Sequence, residues 1–329
     1  MLEFRWLVVF ALTFIVAYKA IGTWINIAKR EGFVAKDMNK PDKALVPVTG
    51  GLAVIAAFVF GVLLYVGVSV FLFQRAINLV EIFAILTTIL IITFIGLLDE
   101  HIGGWKRGLK QWQKPLITLP AALPLMAIQA GVTAIFIPLL GKTDVGLWYP
   151  LLAVPVGIVG ASQGFNMLAG LNGLEASMAG IMIATLGYAS WASGEAWLAI
   201  ICIIMLVSLL AFLLYNKFPA KVFPGDSLLY PLGAFIALVA ILGNMERTAL
   251  VLFIPYFIEL VLKGRYRMKT ESFLIPAKDG TLSSPCPISS LTHVACMFLT
   301  KIKKKVYEKD VVNLMVIFQI VVAAIALAL

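Results

Sequence analysis

Residues 195–215 read EAWLAIICIIMLVSLLAFLLY, and the only charged side chain in this stretch is Glu195 at its first position. An α-helix needs about 20 mostly apolar residues to cross the hydrocarbon of a bilayer. The rest of the chain has the same character, because 61% of the 329 residues are hydrophobic and only 13% are charged. A typical soluble domain carries about 25% charged residues. The sequence therefore predicts an integral membrane protein.

Apolar stretches of similar length recur along the chain and predict an all-α fold with about ten transmembrane helices. The predicted spans lie at 4–28, 47–73, 78–98, 115–131, 149–168, 174–192, 195–215, 227–243, 247–263 and 311–329. The first stretch ends in Lys29-Arg30 without a small-residue cleavage pattern, so we interpret it as a span and not as a signal peptide. Residues 1–329 are thus predicted to form a single polytopic transmembrane domain.

The basic residues predict the orientation of this domain. Most of the 26 Lys and Arg residues fall in alternate loops, which the positive-inside rule places in the cytoplasm. Both termini are then extracytoplasmic, and the net charge of +9 reflects cytoplasmic loops and gives no reason to expect a nucleic-acid partner. The longest cytoplasmic loop covers about 264–310, and its apolar segment 288–302, followed by lysines, is typical of a helix on an anionic membrane surface.

Cysteine and histidine are too rare for several other classes of protein. The three cysteines lack the spacing of a zinc site or a disulfide framework, and two histidines exclude a His-rich metal centre. The informative polar residues are instead carboxylates, amides and lysines, and with the predicted topology they gather at the cytoplasmic ends of the helices.

The first polar cluster is the pair Asp99-Glu100, at the end of the third predicted span. Adjacent carboxylates repel one another and oppose the helix dipole at a helix C-terminus, at about 0.3–1 kcal/mol each. A divalent cation or a basic partner would relieve both costs. A solvated helix end is the alternative interpretation.

The second cluster is NMLAGLNGLEA at residues 166–176. Asn172 and Glu175 fit a capping box for the next helix, which leaves Asn166 inside an apolar span unexplained. Gly170 and Gly173 allow the backbone to approach a ligand closely, and the first turn of the following helix favours phosphate.

The third cluster, residues 216–227, combines Lys217, Lys221, Phe223 and Asp226 close to the membrane plane. Asp226 could simply cap a helix, but a carboxylate can also hold Mg²⁺, and Phe223 can stack on a base or anchor the chain in the membrane. A fourth, basic group contains Lys106, Arg107, Lys110 and Lys114. Most of it follows the positive-inside pattern, whereas Lys114 begins the fourth span at headgroup depth, where it can hold a lipid phosphate.

These motifs resemble the polyprenyl-phosphate N-acetylhexosamine-1-phosphate transferases. The resemblance runs from DMNK at residues 37–40 to Pro276, and its most specific parts are residues 166–176 and VFPGD at 222–226. Glu175 after Gly173-Leu174 looks like the branch that moves N-acetylglucosamine-1-phosphate from UDP-GlcNAc to dolichyl phosphate.

The resemblance implies a role for each matched residue. Asp226 and Asn166 would hold Mg²⁺ (with Mn²⁺ as an alternative) and the donor pyrophosphate, Phe223 and Asn172 would face the uracil, and Gly170 would lie against the nucleotide sugar. Asp99, Glu100 and Asp226 would be the catalytic acids, and Lys114 would bind the lipid phosphate. The sequence departs from the family at two places. Glu100 replaces the usual second aspartate, and an Arg/His-rich motif reads IPAKDG at 275–280, where Lys278 would replace one cation.

The function implied by this resemblance is transfer of N-acetylglucosamine-1-phosphate from UDP-GlcNAc to dolichyl (polyprenyl) phosphate, with release of UMP, as the first membrane step of lipid-linked oligosaccharide assembly for N-glycosylation. The expected location is the cell membrane, or the endoplasmic reticulum of a eukaryote, with the active site facing the cytoplasm. A sister transferase for another UDP-sugar or polyprenol, a secondary transporter and a non-catalytic scaffold are the alternatives. The sequence leaves the oligomeric state open, and a homodimer is one alternative.

Overall fold

The computed structural model describes residues 4–74, 77–102, 110–137 and 141–329. Within these ranges the chain is mainly helical. The helices are α1 (Phe4–Glu31), α2 (Gly51–Gly67), α3 (Leu79–Ile102), α4 (Gln113–Thr118), α5 (Leu123–Ala127), α6 (Val154–Met167), α7 (Leu174–Ala192), α8 (Ala196–Asn216), α9 (Asp226–Leu242), α10 (Glu246–Leu252), α11 (Ile254–Gly264), α12 (Leu291–Ile302) and α13 (Glu308–Ala328). The strands are β1 (Val34–Lys36), β2 (Leu45–Pro47), β3 (Ala134–Ile137), β4 (Gly141–Asp144), β5 (Ile275–Pro276) and β6 (Leu282–Ser283).

Five helical stretches among the described residues are long and apolar enough to cross a membrane: Trp6–Glu31, Gly51–Leu72, Leu79–Glu100, Ala196–Asn216 and Glu308–Ala328. Hydrocarbon offers no hydrogen-bond partner to the backbone, and a helix satisfies its own N–H and C=O groups. The chain is therefore a predominantly helical integral membrane protein, as predicted.

Two predicted spans are not single helices. The span predicted at 115–131 consists of α4, a 3₁₀ turn at Leu119–Ala122 and α5, and the span at 247–263 divides into α10 and α11 around Phe253. Prolines at 115, 120, 124 and 255 account for these breaks, because proline lacks the N–H that a helix interior needs.

The helical fold agrees with the all-α class predicted, and three short antiparallel hairpins lie in its loops. They pair β1 with β2, β3 with β4, and β5 with β6. In the first hairpin Val34 faces Pro47 and Lys36 faces Leu45. This hairpin brings residues 37–40 at its tip toward the polar end of the helical bundle.

Helix α9 is the centre of the bundle, because every residue from Ser227 to Ile241 is buried. Glycines let its neighbours approach at backbone distance. A Cβ at Gly96 of α3 would lie 2.5 Å from the carbonyl oxygen of Asp226, and one at Gly51 of α2 would overlap Leu228. Helices α2 and α3 are thereby held against the first turn of α9, where the predicted catalytic residues lie.

The long loop after α11 contains the β5–β6 hairpin and α12. Ser290 caps α12 by accepting a hydrogen bond from the backbone N–H of Thr292, so the apolar segment predicted at 288–302 does form a helix. It buries Cys296 and Leu299 and exposes Phe298 and Ile302. Its location on a membrane surface stays a prediction.

Candidate active site

The two carboxylates at the end of α3 are directed to different partners. Gly96 seats α3 against the start of α9, and the last turn of α3 then presents Asp99 and Glu100 to that helix. Asp99 is only 4% exposed. The predicted cost of an acidic pair at a helix C-terminus is relieved by a lysine for Asp99 and by a helix N-terminus for Glu100.

Glu100 caps α9. Its Oε1 accepts a hydrogen bond of 2.7 Å from the backbone N–H of Ser227, and its Oε2 accepts one of 2.6 Å from the hydroxyl of Thr49. A carboxylate is favourable at a helix N-terminus because the helix dipole is positive there. Gly225 has a φ of +71°, and a Cβ at this position would overlap the Glu100 carboxylate, so this arrangement requires glycine.

Asp99 is held by one ammonium group and one hydroxyl group. Nζ of Lys114, near the start of α4, lies 2.8 Å from Oδ2 of Asp99, and the hydroxyl of Tyr230 donates a 2.5 Å hydrogen bond to the same oxygen. Tyr230 is fully buried in α9. The predicted lysine of the lipid-phosphate site and the predicted catalytic acid are thus in direct contact.

Asp226 is the first residue of α9 and is half-buried. Its carboxylate accepts a hydrogen bond from the side chain of Asn166, and it interacts electrostatically with Lys114, Asp99 and Glu100. Helices α3, α4, α6 and α9 therefore bring five of the predicted site residues together. We call these residues the acidic cluster: Asp99, Glu100, Lys114, Asn166 and Asp226.

The donor atoms of the acidic cluster fit magnesium, the ion that the resemblance implies. Asp226 supplies carboxylate oxygens, and Asn166 keeps its amide oxygen while its nitrogen faces Asp226. In the described part of the chain, no group of three or more His, Cys, Asp or Glu side chains forms a ready-made metal cage. Magnesium does not require one, because it is commonly held by one or two carboxylates together with substrate phosphates and water.

Asn172 is hydrogen-bonded to three segments of the fold. Its side-chain N–H groups donate to Asp37 at 3.0 Å and to Glu308 at 2.6 Å, and its Oδ1 accepts from the backbone N–H of Ala220 at 2.8 Å. The predicted capping box is wrong, since the residue that caps α7 is Gly173 and makes no side-chain capping bond. The cause is Glu308, which lies 136 residues away in the sequence and takes both the side chain and the backbone N–H of Asn172.

Gly170 also makes contacts within the fold. Its N–H donates to Glu175, its carbonyl accepts from Asn39, and a Cβ would lie 2.7 Å from the ring of Phe273. Its φ of +119° suits only glycine. The close approach that the sequence predicts at Gly170 is made to Phe273 of the long loop.

Phe223 is half-buried, and its backbone is paired with the segment between β2 and α2. Its N–H donates to the carbonyl of Pro47 at 2.8 Å, and its carbonyl accepts from the N–H of Gly50 at 3.0 Å. This pairing places residues 222–226 beside Thr49, which bonds to Glu100. The ring of Phe223 is therefore presented from a backbone fixed next to the acidic cluster.

Lys278 lies in the exposed turn between β5 and β6. Its neighbour Asp279 accepts hydrogen bonds from Thr281 and Lys305, which lower the pKa of Asp279 to about 2. Among the described contacts of this hairpin, none joins Lys278 to the acidic cluster. Lys106 and Arg107, from the same basic group as Lys114, lie outside the described residues.

The long loop contacts the end of α6 and the first hairpin through residues 272–274. Ser272 donates to the carbonyl of Met167 at 3.2 Å, and the backbone N–H of Leu274 donates to Asn39 at 2.9 Å. The next segment forms the β5–β6 hairpin. The role of Lys278 toward the donor sugar stays a prediction.

A buried ion pair holds the end of α6, which carries Asn166. Lys263 of α11 donates to the carbonyl of Met167 and lies 3.2 Å from Glu259. Glu259, fully buried, also accepts from the N–H of Leu291 and the hydroxyl of Ser290 at the start of α12. A glutamate and a lysine four residues apart in an apolar helix are the sequence signal for such a pair.

Other residues at this end of the bundle were not predicted as site residues. Tyr230 could be suspected from its position one helical turn after Asp226. Thr49 precedes the adjacent glycines 50 and 51, a signal for close packing. Lys40 and Glu308 contact each other across 268 residues of sequence, and no local pattern predicts such a contact.

Comparison with known proteins identifies relatives along most of the chain. Residues 82–244 match the model of glycosyl transferase family 4. A putative UDP-N-acetylglucosamine–dolichyl-phosphate N-acetylglucosaminephosphotransferase of Saccharolobus solfataricus is 35% identical over 285 residues, which cover 86% of this chain and 85% of that protein. The protein of the same name from Sulfolobus acidocaldarius is 37% identical over 272 residues, which cover 82% of this chain and 81% of the relative.

A bacterial relative with another name also matches. The phospho-N-acetylmuramoyl-pentapeptide-transferase of Lactiplantibacillus plantarum is 33% identical over 197 residues, which cover 58% of this chain and 60% of that protein. The family match, at residues 82–244, includes both of the most specific motifs, at 166–176 and 222–226. The chain therefore belongs to glycosyl transferase family 4, as its resemblance to the polyprenyl-phosphate N-acetylhexosamine-1-phosphate transferases predicts.

Proposed function

We propose that this protein transfers N-acetylglucosamine-1-phosphate from UDP-GlcNAc to dolichyl or a related polyprenyl phosphate and releases UMP. The observation that carries the proposal is the acidic cluster, in which two helix ends supply carboxylates, a third supplies an amide and a fourth supplies a lysine. The names of the two relatives that match over four fifths of the chain support this choice of substrates. In N-glycosylation the product is the first lipid-linked intermediate.

In the proposed reaction an oxygen of the lipid phosphate attacks the β-phosphorus of UDP-GlcNAc. A P–O bond forms to the lipid phosphate as the P–O bond to UMP breaks, so one phosphoanhydride replaces another. The second pKa of a phosphate monoester is near 6, so much of the nucleophile is ionised at neutral pH. Such chemistry depends on positioning and on charge around the phosphates.

Each residue of the acidic cluster has a task in this scheme. Lys114 binds the lipid phosphate and is oriented by Asp99. Asp226 and Asn166 would hold Mg²⁺, which would neutralise charge on the donor pyrophosphate. Glu100 fixes the first turn of α9 and thereby the position of Asp226. Asp99 can act either as a base or as an electrostatic partner of Lys114, and its two hydrogen-bond donors favour the electrostatic role.

Two apolar grooves suit the polyprenyl tail. A groove of about 580 Å³ lies between α6 and helices α9 to α11, and a second of about 290 Å³ lies between α4 and α6. Both are lined by Gly160 and Gln163, and the second also by Pro115, the residue after Lys114. A lipid lying along α6 would therefore leave its phosphate beside Lys114.

The proposal includes the topology. In the proposed topology the chain crosses the membrane ten times, counting α4–α5 and α10–α11 as one span each, with both termini outside and the acidic cluster at the cytoplasmic surface of the cell membrane or the endoplasmic reticulum. Accessibility labelling tests this with variants in which a single cysteine replaces Lys221 or Glu195. The cysteine at 221 should react only from the cytoplasmic side, and the cysteine at 195 only from the other side. Light scattering of the purified protein decides between a monomer and a homodimer.

A sister transferase is the second candidate, because the muramoyl-pentapeptide relative matches 58% of the chain. Family membership argues against a secondary transporter and a scaffold. The deciding experiment supplies purified protein with a panel of UDP-sugars and polyprenyl phosphates and identifies products by mass spectrometry. Formation of polyprenyl-diphosphate-GlcNAc supports the proposal, and exclusive use of another sugar nucleotide would replace it with the second candidate.

A further inference from the structure

A buried polar group outside the acidic cluster joins three loops and the last helix. We call it the Asn172 network, and it consists of Asp37, Lys40, Asn172 and Glu308 with the backbone N–H of Ala220. Asp37, Asn172 and Glu308 are each less than 5% exposed. Their segments are the tip of the first hairpin, the loop between α6 and α7, the loop between α8 and α9, and the first turn of α13.

Asn172 is almost fully hydrogen-bonded within the network. Its two side-chain N–H groups donate hydrogen bonds to Asp37 and Glu308, and its backbone N–H donates one to Glu308 at 2.6 Å. Its Oδ1 accepts a hydrogen bond from the backbone N–H of Ala220. An asparagine side chain has two donors and one acceptor oxygen with two lone pairs. One lone pair of Oδ1 is thus all that the side chain can still offer to a ligand.

The hydrogen bond between the Asn172 side chain and the backbone N–H of Ala220 joins two loops. Asn172 lies six residues after Asn166, and Ala220 lies six residues before Asp226. The bond therefore links the two loops that adjoin the proposed magnesium ligands. Any rotation of the Asn172 side chain would loosen one loop from the other.

Lys40 balances the charge of the network. Its Nζ contacts the Glu308 carboxylate and lies 3.3 Å from Oδ2 of Asp37. It also lies 4.3 Å from the centre of the Phe218 ring, in the loop that contains Ala220. Removal of this lysine would leave two buried carboxylates facing each other without compensation, which is costly in a low-dielectric interior.

We propose that Lys40 and Glu308 are positioning residues that fix the orientation of Asn172. Through Asn172 they keep the loop after Asn166 and the loop before Asp226 in the relative position that donor binding requires. This inference rests on the proposed function for the identity of the donor, UDP-GlcNAc. The acceptor side is independent of the network, since Lys114 is held by Asp99. A defect in the network should therefore raise the KM for UDP-GlcNAc and leave the KM for polyprenyl phosphate unchanged.

The test compares Lys40→Met, Glu308→Gln and the double variant with the wild type. Lys40→Met should raise the KM for UDP-GlcNAc about tenfold or more, while the KM for polyprenyl phosphate stays within about twofold. Glu308→Gln keeps an oxygen that accepts from Asn172, so its effect should be smaller. In the double variant one of the two opposed carboxylates is neutral, and the donor KM should fall back toward the wild-type value.

Lys303→Met is the matched control. Lys303 pairs with Asp310 at 2.5 Å near the start of the same helix, α13, but this pair is exposed and has no contact with Asn172. The control should change neither KM. If Lys40→Met fails to fold, Glu308→Gln still decides, because a donor KM above that of the wild type with an unchanged acceptor KM agrees with the positioning role, and an unchanged donor KM overturns it.

Two results separate this inference from the proposed function. Absence of any transfer from UDP-GlcNAc by the wild type would overturn the proposed function, and thermal unfolding of the four proteins would then still show whether the two substitutions compensate each other. Normal transfer by the wild type, with an unchanged donor KM in Lys40→Met or with both KM values raised equally, would overturn the positioning role alone.

Discussion

The Tyr230 hydroxyl and the Asp99 carboxylate form a buried hydrogen bond of 2.5 Å, on the same oxygen that Lys114 contacts at 2.8 Å. Helices α9, α3 and α4 thus meet at one atom, Oδ2 of Asp99. With two donors on one oxygen, the carboxylate cannot rotate freely, and the ammonium group of Lys114 is held in one place. The proposed lipid-phosphate site is therefore fixed before a substrate arrives.

Removal of the Tyr230 hydroxyl should reduce turnover. A hydrogen bond to a charged group is worth about 1.5–3 kcal/mol, and each 1.4 kcal/mol of lost transition-state stabilisation lowers the rate about tenfold. We expect Tyr230→Phe to lower kcat about tenfold in the transfer assay. Tyr188→Phe, at an exposed tyrosine of α7, should leave kcat unchanged, and equal rates for both variants would show that Asp99 does not need its second donor.

Lys114→Met should raise the KM for polyprenyl phosphate by tenfold or more, on the order of the 1.4 kcal/mol expected for the loss of one charged contact. The KM for UDP-GlcNAc should change little. Lys110→Met is the control, because Lys110 is an exposed lysine just before α4. An acceptor KM that is the same in Lys114→Met and Lys110→Met would remove Lys114 from the lipid-phosphate site.

Asp226→Ala should abolish transfer while the protein stays folded. The reason is the loss of the proposed magnesium ligand that faces Asn166. Asp279→Ala, at the exposed hairpin turn, should be fully active and serves as the control. Persistent transfer by Asp226→Ala, with an unfolding temperature near that of the wild type, would contradict the metal assignment.

Chelation provides an independent check of the cofactor. EDTA should stop transfer, and added Mg²⁺ should restore it, because the carboxylate of Asp226 and the amide of Asn166 supply hard oxygen ligands. Mn²⁺ should also restore activity, since it accepts the same ligands. Transfer that continues in excess EDTA would exclude a magnesium-dependent reaction.

Gly225→Ala should destabilise the protein more than Gly280→Ala does. Both glycines have positive φ values, +71° and +80°, but a Cβ would overlap the Glu100 carboxylate at the first position and meet open space at the second. The backbone conformation alone costs about 1 kcal/mol or more for a non-glycine residue. The difference between the two unfolding temperatures therefore measures the contact with Glu100, and equal values would argue that Glu100 does not cap α9 in solution.

The sequence predicted the long apolar helices well because a bilayer-spanning helix carries its signal in about 20 consecutive residues. The spans predicted at 115–131 and 247–263 contain prolines, which interrupt the helix within each span because proline lacks the N–H that a helix interior needs. The short hairpins were not predicted, because strands of two to four residues are too short to show an alternation of polar and apolar residues.

The acidic cluster was partly predictable for a different reason. Carboxylates and amides at the ends of apolar helices are unusual, so Asp99, Asn166 and Asp226 stood out without structural information. The proximity of Asp99 to Asp226 depends on Gly96 and the packing of α3 on α9, and that of Asn166 depends on the packing of α6 on α9 at Gly233. Sequence alone gives no distance between two such helix ends.

The environment of Asn172 was not predictable from the sequence. Its local pattern with Glu175 fits a capping box, but a carboxylate from the last helix competes for the same donors. A contact between distant segments overrides the local pattern in this case.

Helices α2 and α3 pack against α9 at backbone distance, and this packing limits which residues of the protein can be replaced. Gly51 and Gly96 leave no room for a larger residue against the first turn of α9, so we expect substitutions at these two positions to displace the helices that carry the acidic cluster. The residues of α6 that line the two apolar grooves do not meet this constraint. Efforts to redirect the lipid specificity should begin there.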